Sequence, residues 1–229
     1  MFPKIGPGMK EYEIEALFIE SFTRQGSDGF AYSPIIASGK NTCVLHYMAN
    51  NQVCKAGELL LLDIGAGYAH YKSDVTRVLP INGRFTKRQK SVYEAVRMIM
   101  EEAKKLLTPM HDLRSYHQQL GQVVEEALLR LGLLTSAEVK AQNPQKPAYK
   151  KYFMHGVSHH LGLDTHDLAD GHAKFMSGMV LTVEPGIYIP EERIGIRLEN
   201  DVVIRKNGVE DLSADLPLTA EEIEEAMAR

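Results

Sequence analysis

Residues 59–79 read LLLLDIGAGYAHYKSDVTRVL, and the two aspartates in that stretch decide how the chain folds. Asp63 follows an unbroken run of leucines, Leu59 to Leu62, of the kind that forms a buried strand. A carboxylate at the end of such a strand must be paired, metal-bound or exposed, because an unpaired buried charge is very costly. Asp74 lies beyond the Gly-rich turn GAGYAH. Facing residues of an antiparallel hairpin have a constant sum of positions, so a loop centred near Tyr68 and Ala69 predicts Asp63 opposite Asp74. Asp74 and Thr76 share one strand face.

A second stretch repeats the pattern. Glu184 follows the apolar run Met179 to Val183, and Glu199 lies beyond the turn PEER. A loop centred near Glu191 and Glu192 predicts Glu184 opposite Glu199. Alternation puts Arg197, Glu199 and Asp201 on one face and Ile196, Leu198 and Val202 on the other. Like charges facing each other destabilise a sheet, and a cation between them removes the objection. Four carboxylates make a hard, oxygen-rich site. One imidazole from HGVSHHLGLDTHD, residues 155–167, shifts the preference toward Mn, Co, Fe or Zn rather than Ca. Two divalent ions would balance the four carboxylates, which suits a dinuclear centre with a bridging water or hydroxide. Each piece alone is weak: an Asp after a strand is more often a turn residue, and so is Glu-Pro-Gly. The GAG of DIGAGY is not a phosphate loop, since no helix starts after it. The coincidence of two carboxylate hairpins with a histidine cluster carries the reading.

Outward from these hairpins, EYEIEALFIESFTRQG reads as a helix through Ile14, Leu17, Phe18 and Phe22. A capping box, Thr86 to Gln89, opens a second helix through about Leu107, before Pro109. DLRSYHQQLGQVVEEALLRLGL is a third, with Tyr116, Leu120, Val123, Val124, Leu128 and Leu131 on one stripe. A further box, Thr219 to Glu222, starts a C-terminal helix. ELLLLDIGAGY, SDVTRVL, GMVLTVEPGIYI and IGIRLENDVVI read as strands. Strands, then helices, then strands again imply an α+β fold with antiparallel pairing.

At 229 residues and 44% hydrophobic, the chain can bury a sizeable core. A net charge of -4 with no basic stripe gives no reason to expect a nucleic-acid partner. The apolar runs suit buried strands and are too short to span a membrane. Two cysteines, Cys43 and Cys54, are too few for a disulfide framework, so a reducing, cytoplasmic setting is the expectation.

Taken together, DIGAGYAHYKSDVTR, MHGVSHHLGLDTHD, VLTVEPGIYI and GIRLEND resemble the pita-bread metallopeptidases, which include Xaa-Pro aminopeptidase, prolidase and methionine aminopeptidase. The resemblance runs through the whole chain in order. VLHY at 44–47 and the form HGxSHxLGLDxHD bring it nearest to the catalytic domain of aminopeptidase P. It implies a pseudo-symmetric, curved antiparallel sheet covered by helices. It also implies a single catalytic domain over residues 1–229, without the N-terminal domain and first helix that precede GPGMKEYE in full-length members. Two divalent metal ions are implied, commonly manganese.

Residue by residue, the resemblance makes Asp63, Asp74, His159, Glu184 and Glu199 the ligands. Asp63 would bind one metal through both oxygens, Asp74 and Glu199 would bridge, and His159 would bind the other metal, shared with Glu184. The implied reaction is hydrolysis between an N-terminal residue and a following proline, with Glu184 as proton acceptor. His46 and His166 match histidines near the tetrahedral intermediate, and His155 matches a residue on the proline side. Tyr188 and Arg197 match substrate-contacting or supporting positions, and Arg197 could instead pair with a ligand carboxylate. His160 is expected to pack or face solvent, and His70, His111, His117 and His172 to lie on the surface. Asp164 and Asp167 are expected to cap their loop, and Asp201 to support the ligands.

Peptides with proline second are the implied partners, with no nucleic acid and no membrane, and homo-oligomer formation is left open. Three alternatives stand beside this reading: a prolidase-like dipeptidase, a methionine aminopeptidase-like enzyme, and an inactive pita-bread binding module.

Overall fold

The computed structural model describes residues 1–109, 111–170 and 172–228. Helix α1 (Glu11–Arg24) comes first, followed by strands β1 (Gly29–Phe30) and β2 (Ile35–Ser38). Next come β3 (Leu59–Ile64), β4 (Ala66–Tyr68), β5 (Tyr71–Lys72) and β6 (Val75–Pro80). Helices α2 (Lys87–Leu106), α3 (Leu113–Arg130) and the short α4 (Ser136–Ala141) follow. The chain then returns to strands β7 (Val180–Val183), β8 (Gly186–Ile189), β9 (Ile194–Arg197), β10 (Asn200–Arg205) and β11 (Gly208–Asp211), and ends in α5 (Ala220–Met227). Every strand pair is antiparallel, as the strand–helix–strand order implies. Among the described residues four short sheets result, in the orders β2-β3-β6, β1-β4-β5, β8-β9 and β11-β10-β7.

The predicted helices form where their caps place them. The Thr86 hydroxyl accepts from the Gln89 N–H while the Gln89 side chain reaches back to Thr86, which satisfies two otherwise orphaned donors at the start of α2. Thr219 and Glu222 do the same for α5. Each such cap is worth about 1 kcal/mol. On α2 the buried Val92, Val96, Ile99, Met100 and Ala103 recur at helical spacing and pack toward α3 and β9. The third stripe differs in part: Val123 and Leu131 are only partly buried, while Gly121 and Ala127 close the interface. Helix α4 and strands β1, β2, β5 and β11 are additions that short or two-residue patterns did not announce.

Leu59 to Leu62 are all buried in one continuous core that also takes in α1, α2, α3 and α5. Each buried leucine contributes about 1.5–3 kcal/mol. That cluster anchors β3, and β3 carries Asp63.

The first hairpin corrects the expected register. Asp63 pairs with Thr76, not Asp74, and the same register continues to Gly67 opposite Lys72. The turn therefore lies between Ala69 and His70, one residue later than expected. Both residues are left-handed, with φ of 49° and 71°, as a two-residue type I′ turn requires. Asn-Gly is the usual signature of that turn, and Ala-His gives no warning of it. The slip is an even one in the pairing, so Asp63, Thr76 and Asp74 still share a face. Gly65 sits where β3 passes into β4, and a Cβ there would lie 1.8 Å from the Ser73 carbonyl oxygen. Only glycine permits this approach, which brings the backbone just before Asp74 up against the first strand.

The second hairpin follows the expected register. Val183 pairs with Asn200 and Gly186 with Arg197, so Glu184 and Glu199 face each other in the break between the two ladders. Its turn centres on the 3-10 segment Pro190–Glu192, with Arg193 at φ 56°.

Candidate metal centre

The two hairpins meet at the floor of a cavity of about 600 Å³. Asp63, Asp74, Glu184 and Glu199 line it, together with His46, His155, His159, His166 and Arg197. One donor atom from each of Asp74, His159 and Glu199 lies within 4.8 Å of the others. His159 Nε2 is 3.5 Å from Asp74 Oδ2 and 3.7 Å from Glu184 Oε1. Residues 157–161 run antiparallel along β7, with the Glu184 N–H donating to the Val157 carbonyl (2.7 Å) and the Thr182 N–H to the His159 carbonyl (3.0 Å). This pairing sets His159 beside Glu184.

The carboxylates crowd one another in a dry setting. Burial, reinforced by Asp74 and Asp63, pushes Glu184 up to about 7 despite the opposing pull of His159 and Arg197. Burial and the Asp74, Glu184 and Asp63 charges raise Glu199 well above its ordinary value. Burial and Asp74 raise Asp63 even though Arg197 opposes them. Burial alone would lower His159, but its contacts with Asp74 and Glu184 raise it overall.

Tyr32 sits between the first two acids, its hydroxyl 2.5 Å from Asp63 Oδ1 and 2.5 Å from Asp74 Oδ1. A phenol carries one proton, so one of these contacts needs a carboxyl proton or a cation to be favourable. The converging oxygens, the single imidazole and the raised acids fit divalent cations: hard donors at close range, with charge that asks for positive balance.

Supporting contacts fix the donors. Arg197 Nη2 donates to Asp63 Oδ2 at 2.5 Å, so this guanidinium does pair with one of the acids. Its Nη1 donates to the Tyr188 hydroxyl (2.9 Å), which lies 2.8 Å from His155 Nε2. Tyr188 is fully buried and is not part of the cavity lining, and it contacts Arg197 and His155. The Thr76 hydroxyl donates to Glu199 Oε2 at 2.6 Å. Asp201 Oδ2 accepts from the Asp74 N–H at 3.1 Å, and burial pushes Asp201 up to about 7.

The histidines separate as follows. His155 Nδ1 is 2.6 Å from the Gly156 carbonyl, and burial with the Arg197 charge lowers its pKa to about 4. It is a neutral imidazole with both nitrogens engaged. His166 stands edge-on to His159, ring centres 4.3 Å apart, and burial and His159 keep it below its usual pKa. His46 is exposed at the rim. His160 is half-buried on the other side of its segment, bridging to Leu181 and outside the cavity lining. Asp167 organises the loop as expected, its carboxylate accepting from the Leu163 (3.1 Å) and Leu168 (2.8 Å) N–H groups.

The other histidines lie where their sequence context suggests, with one addition. His70 and His172 are exposed, and His111 and His117 are half-buried; His117 also supports the HGVS segment. Its Nε2 accepts from the Val157 N–H at 3.2 Å, and its ring lies under Gly156, where a Cβ would meet it at 3.2 Å. The neighbouring Tyr116 hydroxyl is 3.1 Å from the Ser158 hydroxyl. Helix α3 thus holds the HGVS segment from beneath. Nothing local in the sequence marks Tyr32, Tyr116 or His117 as parts of the site, because each acts across the fold; Thr76 was placed only by its sharing the Asp74 face.

Comparison with known proteins agrees with this geometry. Residues 1–206 match the model of metallopeptidase family M24. The Xaa-Pro aminopeptidase of Escherichia coli is 39% identical over 238 residues, covering 98% of this chain and 53% of that protein. Human Xaa-Pro aminopeptidase 3 is 38% identical, covering 98% of this chain and 46% of that protein. The chain therefore spans about half the length of the curated relatives it matches. Among solved structures, Escherichia coli aminopeptidase P with the inhibitor Pro-Leu superposes with a TM-score of 0.91 at 37% identity, over 99% of this chain and 54% of that one. Pseudomonas aeruginosa aminopeptidase PepP gives 0.92 at 38% identity, over 99% and 54%. An α+β fold of paired carboxylate hairpins, a matching family model and relatives above the threshold of chance likeness lead to one conclusion: the chain belongs to metallopeptidase family M24.

Proposed function

We propose that residues 1–229 form a catalytic domain that hydrolyses the bond between an N-terminal residue and a following proline. The observation that carries this reading is the convergence of Asp63, Asp74, His159, Glu184 and Glu199 on one cavity floor, in a chain 39% identical to a Xaa-Pro aminopeptidase. Those five side chains are the ligands for two divalent ions, manganese first, with cobalt, zinc or iron as substitutes. When bound, such ions supply Lewis-acid activation of a water and of the scissile carbonyl.

The chain's own residues do the rest. Glu184, with about a fifth of its side chain exposed, takes a proton at its carboxylate and returns it to the leaving proline nitrogen. His46 and His166 face the cavity from opposite loops and donate hydrogen bonds to the developing oxyanion. His155, neutral and stacked on Phe153 with ring centres 5.3 Å apart, flanks the proline side as a rigid wall. Arg197 and Tyr32 hold Asp63 and Asp74 in place rather than touching the reacting bond.

A rate profile with Xaa-Pro-Xaa tripeptides, Xaa-Pro dipeptides and Met-Ala peptides tests the reading after loading with Mn, Co or Zn. Tripeptide cleavage after the first residue is expected. Cleavage of dipeptides alone would move the chain to the prolidase class, and Met-Ala alone to the methionine aminopeptidases. Absence of bound metal and of all cleavage would leave the binding-module alternative.

A further inference from the structure

Glu11 is a fully buried carboxylate that the reaction described above does not use. It stands in the first turn of α1 and accepts four hydrogen bonds. The Ser38 N–H and hydroxyl both reach Oε1 at 2.7 Å. The Tyr47 hydroxyl (2.8 Å) and the Gln52 N–H (2.9 Å) reach Oε2. An ionised carboxylate has about four acceptor positions, so this one is saturated. Saturation is what makes a buried charge tolerable, and it also makes each donor's contribution larger than that of a neutral pair. The donors come from the end of β2 and from both arms of the loop 44–52.

That loop carries His46. Its start is fixed by the 3-10 turn Gly39–Cys43, where the Gly195 N–H donates to the Thr42 hydroxyl at 2.9 Å. Its end is fixed by Asn50, whose side chain accepts from the Ile36 N–H (3.1 Å) and donates to the Pro34 carbonyl (2.9 Å). Between these anchors, residues 45–49 belong to no helix or strand beyond a single turn at Leu45 and His46, and the His46 ring makes no hydrogen bond to the described residues. Leu45, His46 and Met48 line the cavity, whereas Tyr47 packs inward on the core. The place of His46 at the rim therefore depends on its backbone, and the Tyr47 phenol ties that backbone to the buried Glu11. Burial and the bond to Glu11 push the phenol up to about 12, so it remains a proton donor throughout the working range.

We propose that Glu11 and Tyr47 are positioning residues that hold the His46 loop against the cavity, so that the start of α1 sets the reach of His46 toward the reacting carbonyl. The effect on turnover rests on the proposed peptidase reading; the effect on the loop does not.

Tyr47→Phe tests this, since it removes the hydroxyl and keeps the ring. The expected result is a fall in kcat/KM of about tenfold on a Xaa-Pro tripeptide, the worth of one hydrogen bond to a charged acceptor. Bound metal stays unchanged, and hydrogen exchange of the Val44 and Gln52 amides, which are hydrogen-bonded at the two ends of the loop, accelerates by about the same factor. In a His46→Ala background the same change lowers kcat/KM no further, because its route runs through His46. Independent, additive losses in the double variant would overturn the positioning role. Unaltered exchange at Val44 and Gln52 in Tyr47→Phe would overturn the tether. A parent chain that binds metal yet cleaves no Xaa-Pro peptide would remove the peptidase reading, and the exchange result would then decide the tether alone. Glu11→Gln is expected to exceed Tyr47→Phe in both effects; should it fail to fold, Tyr47→Phe still decides.

Discussion

Replacing Glu184 with glutamine should stabilise the metal-free protein while removing its activity. The carboxyl stands at about 7 in the folded chain against an ordinary value of 4.5, with burial as the main cause. A raised acid binds its proton more tightly in the folded state than in the unfolded one. Stability from this group is therefore full below about pH 4.5 and is lost as pH rises toward about 7. The shift of about 2.5 units corresponds to about 3 kcal/mol at about 1.36 kcal/mol per unit. Glutamine resembles the protonated acid in shape and charge and escapes that loss. Chelator-treated Glu184→Gln should thus exceed chelator-treated parent by about 3 kcal/mol at about pH 8, and by under about 1 kcal/mol at about pH 5. Urea unfolding at the two pH values reads the difference directly. With saturating manganese the order should reverse, since the parent then gains binding energy that the variant lacks. A metal-free variant no more stable than its parent at about pH 8 would refute the picture of a strained acid cluster awaiting a cation.

Other consequences follow from the same geometry. Asp74→Asn removes a donor shared with His159 and Glu199; metal content measured by elemental analysis should fall and hydrolysis should stop, and full activity would remove Asp74 from the ligand set. His160→Ala should leave turnover within about threefold, because its ring lies outside the cavity lining. His159→Ala should abolish turnover, and a collapse of equal size in both variants would mean that the two neighbours exchange roles.

Much of the site was legible before the fold. Apolar runs ending in acids marked Asp63 and Glu184, and alternation put Arg197, Glu199 and Asp201 on one face. Both inferences use only the two-residue period of a strand, which is local. The register of the second hairpin followed for the same reason. The first hairpin slipped because its turn uses left-handed Ala69 and His70, residues that carry no turn signature. The face survived because the slip was even. The supporting contact of His117 was missed because its helical stripe gave no sign of the loop above it.

What the sequence determined by itself was therefore the set of acids, their strand faces, the helix caps and the α+β class, all of which follow from spacing and from the cost of burying charge. What only the tertiary structure decided was which groups meet. Tyr32 lies 31 residues from Asp63 and 42 from Asp74, Arg197 lies 134 from Asp63, and Glu11 lies 36 from Tyr47. No periodicity encodes such distances. They are set by how two hairpins and a helix start pack around one core, and it is that packing that turns scattered acids into a single site.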